Sequence, residues 1–222
     1  MIKITNAEVF GWDAAIRGMR NPMNSWDKSD SDWEFVEDPS IINPNDEVKF
    51  VLGPNDADLM RRLIKAGSDH RKFMRMIAVY TDIEAPLYWW KEYDTYKVGT
   101  TANSCSTMHK IHAKEFTIDD FSHEHLNNFG LHILNQLIRF FNINREEFID
   151  VKDKDNWWQM IQLLPTSYNQ KRTVELNYEV LRNIYHSRKN HKLDEWHTFC
   201  DWIESLPYSW LITGKENEDG ET

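Results

Sequence analysis

Three side chains between residues 177 and 188 have types and a spacing that suit a heteroaromatic ligand. Asn177, Asn183 and Arg188 stand at relative positions 0, 6 and 11. An amide presents a donor and an acceptor together, and a guanidinium donates as a fork to carbonyl or phosphate oxygens. Apolar residues at helical spacing predict one helix over residues 173–188, so the first and last of the three positions share nearly one face. The pattern therefore predicts a helix that lines a long groove.

A purely structural interpretation of the same residues stays open at this point. In that interpretation both asparagines are ordinary solvated positions of an amphipathic helix. Arg188 is then a cation near a helix C-terminus, where the helix dipole favours positive charge. Residue types and spacing alone do not separate the two interpretations.

A second candidate segment, residues 95–109, is rich in threonine, serine, asparagine and glycine and predicts an irregular loop. Lys97 offers a phosphate a point charge. Gly99 and the small side chains of Thr100 and Ser106 let backbone amides approach an anion. The segment is therefore a candidate phosphate-binding loop.

Cysteine and metal chemistry are not indicated. Cys105 has only Lys97 or His109 nearby in sequence to stabilise a thiolate, so we predict a packed, unreactive thiol. We predict that four histidines lie on the surface and bind no metal, because their spacing does not bring them together as ligands. They are His109, His112, His123 and His125.

Composition and charge narrow the range of functions. The chain has 222 residues, 41% of them hydrophobic, and a formal net charge of −10. A chain of this length builds one substantial core. Long nucleic acid needs a basic face and is not expected as a partner, whereas a small phosphorylated ligand needs only a local basic cluster. No signal peptide and no stretch of roughly twenty apolar residues is present, so we predict a cytoplasmic protein without membrane contact.

The order of predicted elements indicates an α/β (α+β) fold. Loose alternation predicts a strand over residues 2–10, and a strand that begins at residue 73 breaks at Ala85-Pro86, where a helix starts. Residues 21–46, rich in proline, aspartate and serine, predict a long surface loop. Further helices are predicted over residues 12–19, 55–65, 125–141, 157–164 and 194–205. One domain is expected over residues 1–213, with a disordered charged tail over 214–222.

Two segments resemble the flavin-dependent thymidylate synthases, the ThyX family. In the first, residues 58–109, a helix ends at Gly67 and is followed by a strand with the Ala85-Pro86 step and by an aromatic helix, in the family's order. The family's loop pattern RHRxxSxNExSxRY then corresponds, with one inserted residue, to TYKVGTTANSCSTMH at residues 95–109. Asn103 and Ser106 match the family's asparagine and second serine.

The second segment, residues 164–196, begins with the family's Leu-Pro step and ends with Glu195-Trp196 in place of its Gln-Trp. The family's pattern of Asn, Arg, Asn and Arg at relative positions 0, 2, 6 and 11 corresponds here to Asn177, Glu179, Asn183 and Arg188. Three of these four positions match in type. Residues 21–46 and the tail lie outside the resemblance.

The resemblance implies a central antiparallel sheet flanked by helices, a long C-terminal helical part and assembly as a homotetramer. It implies FAD contacts from Asn177, Asn183, Tyr96, Lys97 and Val98. It implies binding of a pyrimidine nucleotide of the dUMP type by Glu92, Thr100, Asn103, Ser106 and Arg188. Arg188 is the implied catalytic residue at the base. NADPH and methylenetetrahydrofolate are the implied reductant and one-carbon donor.

Several ligand-contacting positions of the family are replaced, which leaves two hypotheses. Thr95 and Tyr96 stand where the family has Arg-His, Met108 replaces an arginine that binds phosphate, and Glu179 reverses the charge of another arginine. Each lost charge-assisted hydrogen bond costs about 1.5–3 kcal/mol. The first hypothesis is a divergent enzyme of reductive one-carbon transfer. The second is a catalytically silent protein of this fold, reused to bind another nucleotide or a protein partner.

Overall fold

A computed structural model of the chain describes residues 2–35 and 48–215. Its strands are β1 (Lys3–Phe10), β2 (Asp32–Phe35), β3 (Val48–Val51), β4 (Ala78–Pro86), β5 (Thr101–Ser104) and β6 (Asn169–Asn177). Its helices are α1 (Trp12–Arg20), α2 (Pro54–Ala66), α3 (Leu87–Tyr93), α4 (Thr107–Lys110), α5 (Asn128–Val151), α6 (Lys154–Leu163), α7 (Tyr178–Arg188), α8 (Asp194–Glu204) and α9 (Trp210–Thr213). None of these helices combines the length and the apolar character that a membrane span requires.

Two sheets organise the strands. The larger has the order β1-β4-β6-β5, and the smaller pairs β2 with β3. Strand β5 runs antiparallel to β6, with Thr101 opposite Glu175, and β2 runs antiparallel to β3. In β4 the residues Val79, Thr81, Ile83 and Ala85 are buried and alternate with more exposed neighbours, the period of two that a strand requires. The mixed fold with an antiparallel sheet, predicted from the sequence, is confirmed.

Most predicted elements form where the sequence indicated. The strand over residues 2–10 and the helices that begin near residues 12, 55 and 194 are confirmed. The strand-to-helix break at Pro86 is also confirmed, because β4 ends at Pro86 and α3 begins at Leu87. Residues 73–76, predicted as the start of that strand, lie in a 3-10 turn instead. Helices α5 and α6 occupy the two predicted central helical regions; α5 begins three residues later and runs ten residues further than predicted, and α6 begins three residues earlier and ends one residue earlier.

The helix predicted over residues 173–188 is wrong for its first five residues. Strand β6 continues to Asn177, with Val174 and Leu176 buried and Thr173 and Glu175 exposed. These apolar residues fit a helical stripe and a strand alternation equally well, and pairing with β5 decides in favour of the strand. Helix α7 therefore begins at Tyr178.

The two predicted loops also contain regular structure. Strand β2 lies within residues 21–46, and strand β5 and the first three residues of helix α4 lie within residues 95–109. Each short strand pairs with another strand elsewhere in the sequence. The composition of a loop-like segment does not reveal such pairing. Residues 36–47 and 216–222 lie outside the described residues, so the remainder of the first loop and most of the predicted tail have no outcome. The single domain over residues 1–213 stays a prediction.

The described residues group into two compact units. The first comprises residues 2–7, 80–175 and 188–202, and the second comprises residues 8–35, 48–79, 176–187 and 203–215. One core cluster of the first unit packs α5 and α6 around buried Phe121, Phe141 and Met160. A second aromatic cluster joins α3 to α8, with Trp89 and Trp196 ring centroids 4.8 Å apart and both side chains fully buried.

A buried ion pair organises the second unit. Arg20 Nε lies 2.6 Å from Asp56 Oδ1, and both side chains are almost fully enclosed. Asp56 Oδ2 accepts hydrogen bonds from the Ser29 hydroxyl (2.8 Å) and the Ser31 hydroxyl (2.7 Å). Burial raises the pKa of Asp56, but the hydrogen bonds from Ser31, Ser29 and Arg20 outweigh it and hold the pKa below its usual range. Helix α2, which carries Asp56, is thereby tied to the segment that follows α1.

Removal of the buried carboxylate is expected to destabilise the protein strongly. Asp56→Ala leaves the Arg20 charge buried without a partner and should lower the free energy of unfolding by about 3–5 kcal/mol, measured by urea denaturation. Asp58→Ala is the matched control on the same helix, because Asp58 pairs with Arg62 on the surface, and should change stability by less than about 1 kcal/mol. Similar losses in both variants would contradict the assignment. If Asp56→Ala does not fold, Asp56→Asn serves as the milder variant.

Asp82 should titrate far below an ordinary aspartate. Its carboxylate accepts a hydrogen bond from the Thr173 hydroxyl (2.6 Å) and one from the Asn6 amide (3.0 Å), and it lies 3.0 Å from Lys171 Nζ. The Thr173 bond, then Lys171 and Asn6, lower the pKa of Asp82 to about 2. Because the folded pKa is depressed, this group's contribution to stability is present above pH ~4 and is lost as the pH falls through about 2. A carboxyl NMR titration measures the pKa, and Thr173→Val should raise it; an unshifted pKa in the wild type would contradict the hydrogen-bond set.

Candidate functional site

A group of charged and aromatic side chains on the first unit surrounds the carboxylate of Glu92. Glu92 Oε2 accepts a hydrogen bond from Arg188 Nη1 at 2.7 Å and one from the Trp196 indole nitrogen at 3.1 Å. His191 Nε2 lies 3.2 Å from the same oxygen. Arg188 Nε donates to the Tyr96 hydroxyl at 2.8 Å. We call Glu92, Tyr96, Arg188, His191 and Trp196 the Glu92 cluster.

The aromatic core beneath the cluster sets the positions of its members. Helix α3 buries Trp89, Trp90 and Tyr93, and Glu92, next to Tyr93, lies partly buried at the edge of that face. The 3-10 turn Asp94–Tyr96 follows directly and carries Tyr96. Trp196 on α8 is fully buried against Trp89. Because its ring is enclosed, its indole N–H is directed to Glu92 as a fixed donor.

Arg188 is held on three sides. Its guanidinium carbon lies 4.9 Å from the Trp196 ring centroid and 5.5 Å from that of Tyr96, distances that allow cation–π attraction. Its side chain is 19% exposed to solvent. Within residues 2–35 and 48–215, neither Arg188 Nη2 nor Glu92 Oε1 makes a hydrogen bond. The cluster therefore retains one donor and one acceptor for a ligand.

His191 has a defined tautomer in the cluster. Its Nδ1 accepts a hydrogen bond from the Leu193 amide at 3.2 Å. In the neutral ring the proton is therefore on Nε2, the atom that faces Glu92. His191 and Arg188 thus lie against one carboxylate oxygen, and Glu92 balances the charge of Arg188.

The predicted loop residues next to Tyr96 form an exposed turn. Thr100 closes the turn by donating its hydroxyl to the Tyr96 carbonyl at 2.9 Å. Val98 is 91% exposed, and Lys97 is exposed without an ion pair to any residue that the structure describes. Gly99 has φ +80°, a left-handed conformation that favours glycine. The turn therefore offers a cation and an apolar side chain to a ligand.

The other predicted nucleotide contacts are exposed, and one has a structural role. Asn103 lies on β5 opposite Thr173. The Ser106 hydroxyl caps α4 by accepting the His109 amide at 3.1 Å. Cys105 is exposed, so the predicted packed thiol is wrong. The reason is that β5 lies at the end of the strand order, with only β6 beside it. No cluster of three possible metal-ligating side chains occurs in the residues described.

The predicted flavin-contacting asparagines belong to the second unit. Asn177 ends β6, and its side-chain oxygen accepts the Val180 amide at 3.1 Å. Asn183 is exposed in the middle of α7. Glu179, which reverses the family's charge, is neutralised by Arg71, whose Nε lies 2.8 Å from Glu179 Oε2. The charge reversal therefore leaves no uncompensated carboxylate.

Three predicted site residues, Glu92, Tyr96 and Arg188, are brought together in the Glu92 cluster. His191 and Trp196 were not predicted for the site. The carboxylate of Glu92 needs hydrogen-bond donors nearby, and His191, three residues after Arg188, was the available signal.

Next to Trp196, Glu195 is buried and accepts a hydrogen bond from the Tyr88 hydroxyl. Burial of Tyr88, followed by the Glu195 carboxylate, raises the pKa of the phenol well above its usual value. The phenol therefore stays protonated and donates to Glu195. This bond fastens the start of α8, and with it Trp196, to α3.

The fold is that of the flavin-dependent thymidylate synthases. The ThyX of Helicobacter pylori complexed with FAD and dUMP is similar at a TM-score of 0.66 and 15% identity, over 96% of this chain and 98% of that one. A second structure of the same enzyme with FAD and dUMP has a TM-score of 0.65 and 14% identity, over 96% and 97% of the two chains. The UMP/dUMP methylase PolB of Streptomyces cacaoi, bound with 5-Br dUMP, has a TM-score of 0.55 and 11% identity, over 92% and 89%.

These identities establish the fold and no closer relationship. No protein-family model matches the sequence, and no curated protein is significantly similar to it. The resemblance drawn from residues 58–109 and 164–196 is therefore supported at the level of the fold.

A double-mutant cycle should detect coupling between Glu92 and Arg188. Glu92→Gln, Arg188→Gln and the double variant are compared by urea denaturation, and we expect a coupling energy of about 1–2 kcal/mol because a charge-assisted hydrogen bond is lost. The matched control is the exposed pair Asp58 and Arg62, whose coupling should stay below about 0.5 kcal/mol. A coupling as small as the control would show that the contact does not hold Arg188 in place.

Proposed function

We propose that this protein binds FAD and a pyrimidine nucleotide of the dUMP type and uses them for reductive one-carbon transfer. The observation that carries the proposal is the Glu92 cluster, which joins three residues that sequence reasoning assigned to ligand binding. Solved structures of the same fold that contain FAD with dUMP lend support to the choice of ligands. These structures are 14–15% identical to this chain and support the fold alone, so the choice of ligands rests on the chemistry of the residues.

The pyrimidine base is the part of the nucleotide that suits the Glu92 cluster. The imide edge of uracil presents carbonyl oxygens on either side of an N–H. Arg188 Nη2 has a hydrogen to donate to such an oxygen, and Glu92 Oε1 accepts from such an N–H. Arg188 is therefore the residue that touches and polarises the base, while Glu92 selects a ring that carries a donor. Thr100, Asn103 and Ser106 are the proposed contacts for the rest of the nucleotide.

The turn after Tyr96 has donors and surface that fit a flavin nucleotide. Lys97 supplies a positive charge for a phosphate, and the exposed Val98 supplies apolar surface for a flat ring. Asn183, exposed on α7, offers an amide for the polar edge of a flavin, and Asn177 is the further proposed contact. When bound, FAD supplies hydride-transfer chemistry that no side chain of the protein can perform. The protein's own residues bind and orient both ligands.

The remaining partners are proposed from the resemblance alone. NADPH is the proposed source of the hydride, and methylenetetrahydrofolate is the proposed one-carbon donor. The proposed active form is a cytoplasmic homotetramer.

An FAD titration of the purified protein and a calorimetric titration with dUMP test the proposal. Uptake of FAD should give the oxidised-flavin bands near 370 and 450 nm. Arg188→Gln should weaken dUMP binding by about tenfold or more because a charge-assisted hydrogen bond to the base is lost. Arg62→Gln is the control, since Arg62 is exposed and, among the described residues, pairs with Asp58 on the surface. A protein that takes up no FAD, together with unchanged dUMP affinity in Arg188→Gln, would refute the proposal.

A second candidate function is favoured by the replaced phosphate ligands. The Ser106 hydroxyl is engaged as a helix cap, and Met108 stands exposed where the family binds phosphate with an arginine. These features suit a catalytically silent protein of this fold that binds another nucleotide or a protein partner. A screen of nucleoside monophosphates separates the two: binding of another nucleotide without FAD uptake supports the second function and excludes the first.

A further inference from the structure

An open depression on the first unit lies among helices α4, α5 and α6. Its volume is about 290 Å³, which is at the small end of the range for ligand pockets. None of its lining residues belongs to the Glu92 cluster. The lining residues are Met108, His109, His112, Phe148, Lys154 and Trp157.

Aromatic side chains form the wall of the depression. The His112 ring packs edge-on against Phe148, with ring centroids 4.8 Å apart and an interplanar angle of 66°. The Trp157 indole nitrogen donates to the Met108 carbonyl at 3.1 Å, which ties α6 to α4. Because these contacts hold the rings in place, the depression presents flat apolar surface, which favours a planar ligand.

Unpaired cations surround this aromatic wall. Lys110, Lys152 and Lys154 are exposed and make no ion pair with any residue in 2–35 or 48–215. Lys152 Nζ lies 5.6 Å from the Phe148 ring centroid, and Lys154 Nζ lies 5.9 Å from that of Trp158. The acidic residues on the same helices and their caps are all exposed: Glu146, Glu147, Asp150, Asp153 and Asp155. None of these carboxylates lines the depression, whereas Lys154 does.

His112, a lining residue, also carries an unsatisfied polar atom. Its Nδ1 is buried and has no hydrogen-bond partner among the described residues. Burial, and then Lys152, Lys110 and Arg145, lower the pKa of His112. No carboxylate offsets these cations at His112. A bound anion would therefore meet lysine and histidine side chains, and no carboxylate, at the lining of the depression.

We propose that the depression binds a small planar aromatic anion, with the ring against Phe148 and Trp157 and the charge beside Lys154 and His109. The aromatic wall recognises the ring, and the unpaired lysines recognise the charge. A free aromatic carboxylate and a nucleoside monophosphate share this chemistry. The site shares no residue with the Glu92 cluster but borders Ser106, a proposed nucleotide contact. Arg188→Gln tests the proposed function, and Lys154→Gln tests this site.

Calorimetric titration of the full chain with 2-naphthoate tests the proposal, with 2-naphthamide as the neutral probe of the same shape. The carboxylate should bind about tenfold more tightly than the amide at low ionic strength. Lys154→Gln should weaken naphthoate binding by about fivefold, while Lys65→Gln, an exposed lysine of the second unit, should leave it unchanged. Uridine 5′-monophosphate serves as the second anionic probe. Tighter binding of this nucleotide, with the same dependence on Lys154, would identify a nucleotide as the source of the anion.

NMR spectroscopy locates the bound probe. The indole N–H signal of Trp157 should shift on addition of naphthoate, and the pKa of His112 should rise because a nearby anion stabilises the imidazolium. Equal affinities for naphthoate and naphthamide would overturn the proposal. Absence of binding, or binding that leaves the Trp157 signal unmoved, would overturn it as well.

Discussion

The burial of Trp196 is the constraint on which the candidate site depends. Its ring packs against Trp89 at 4.8 Å and Phe199 at 5.8 Å, so it belongs to the core. Its indole N–H and one of its faces belong to the site, because they contact Glu92 and the Arg188 guanidinium. A buried indole seldom lacks a hydrogen-bond partner. The need to satisfy that N–H therefore places a carboxylate at the edge of an aromatic core, and the carboxylate in turn holds the arginine.

Arginine–carboxylate pairs of decreasing burial occur in both units. Arg20 and Asp56 are enclosed, and Arg71 and Glu179 are about one-fifth exposed. In the third pair Arg188 is also about one-fifth exposed, but the Glu92 side chain is 35% exposed. Enclosed pairs tolerate no loss of one partner, because the remaining charge cannot be hydrated. In a partly exposed pair, a ligand can replace some of the water that hydrates the two charges. This gradient separates the structural pair beneath α2 from the pair proposed to meet a ligand.

Local sequence signals predicted the elements of the fold well where the apolar residues followed only one period, that of a helix or that of a strand. The alternation of β1, the cap and stop signals of α2 and the proline break before α3 all indicated the correct element. Residues 173–177 misled because Val174 and Leu176 fit two periods, and only the pairing with β5 resolves them. For the site, the family pattern indicated Glu92, Tyr96 and Arg188. It did not indicate Trp196, whose role depends on packing, or His191, whose role depends on its ring tautomer. Neither property can be derived from spacing in the sequence.

Strand β5 has a consequence for how the chain meets other chains. Within the described residues it ends the order of the larger sheet, and its four residues are all exposed. The outer row of its amide and carbonyl groups is a template on which an extended peptide can add one more strand. Its short length limits such an addition to a few hydrogen bonds. Cys105, exposed immediately after the strand, would place a thiol beside any peptide seated there, which makes this border a natural place to attach a covalent probe of strand addition.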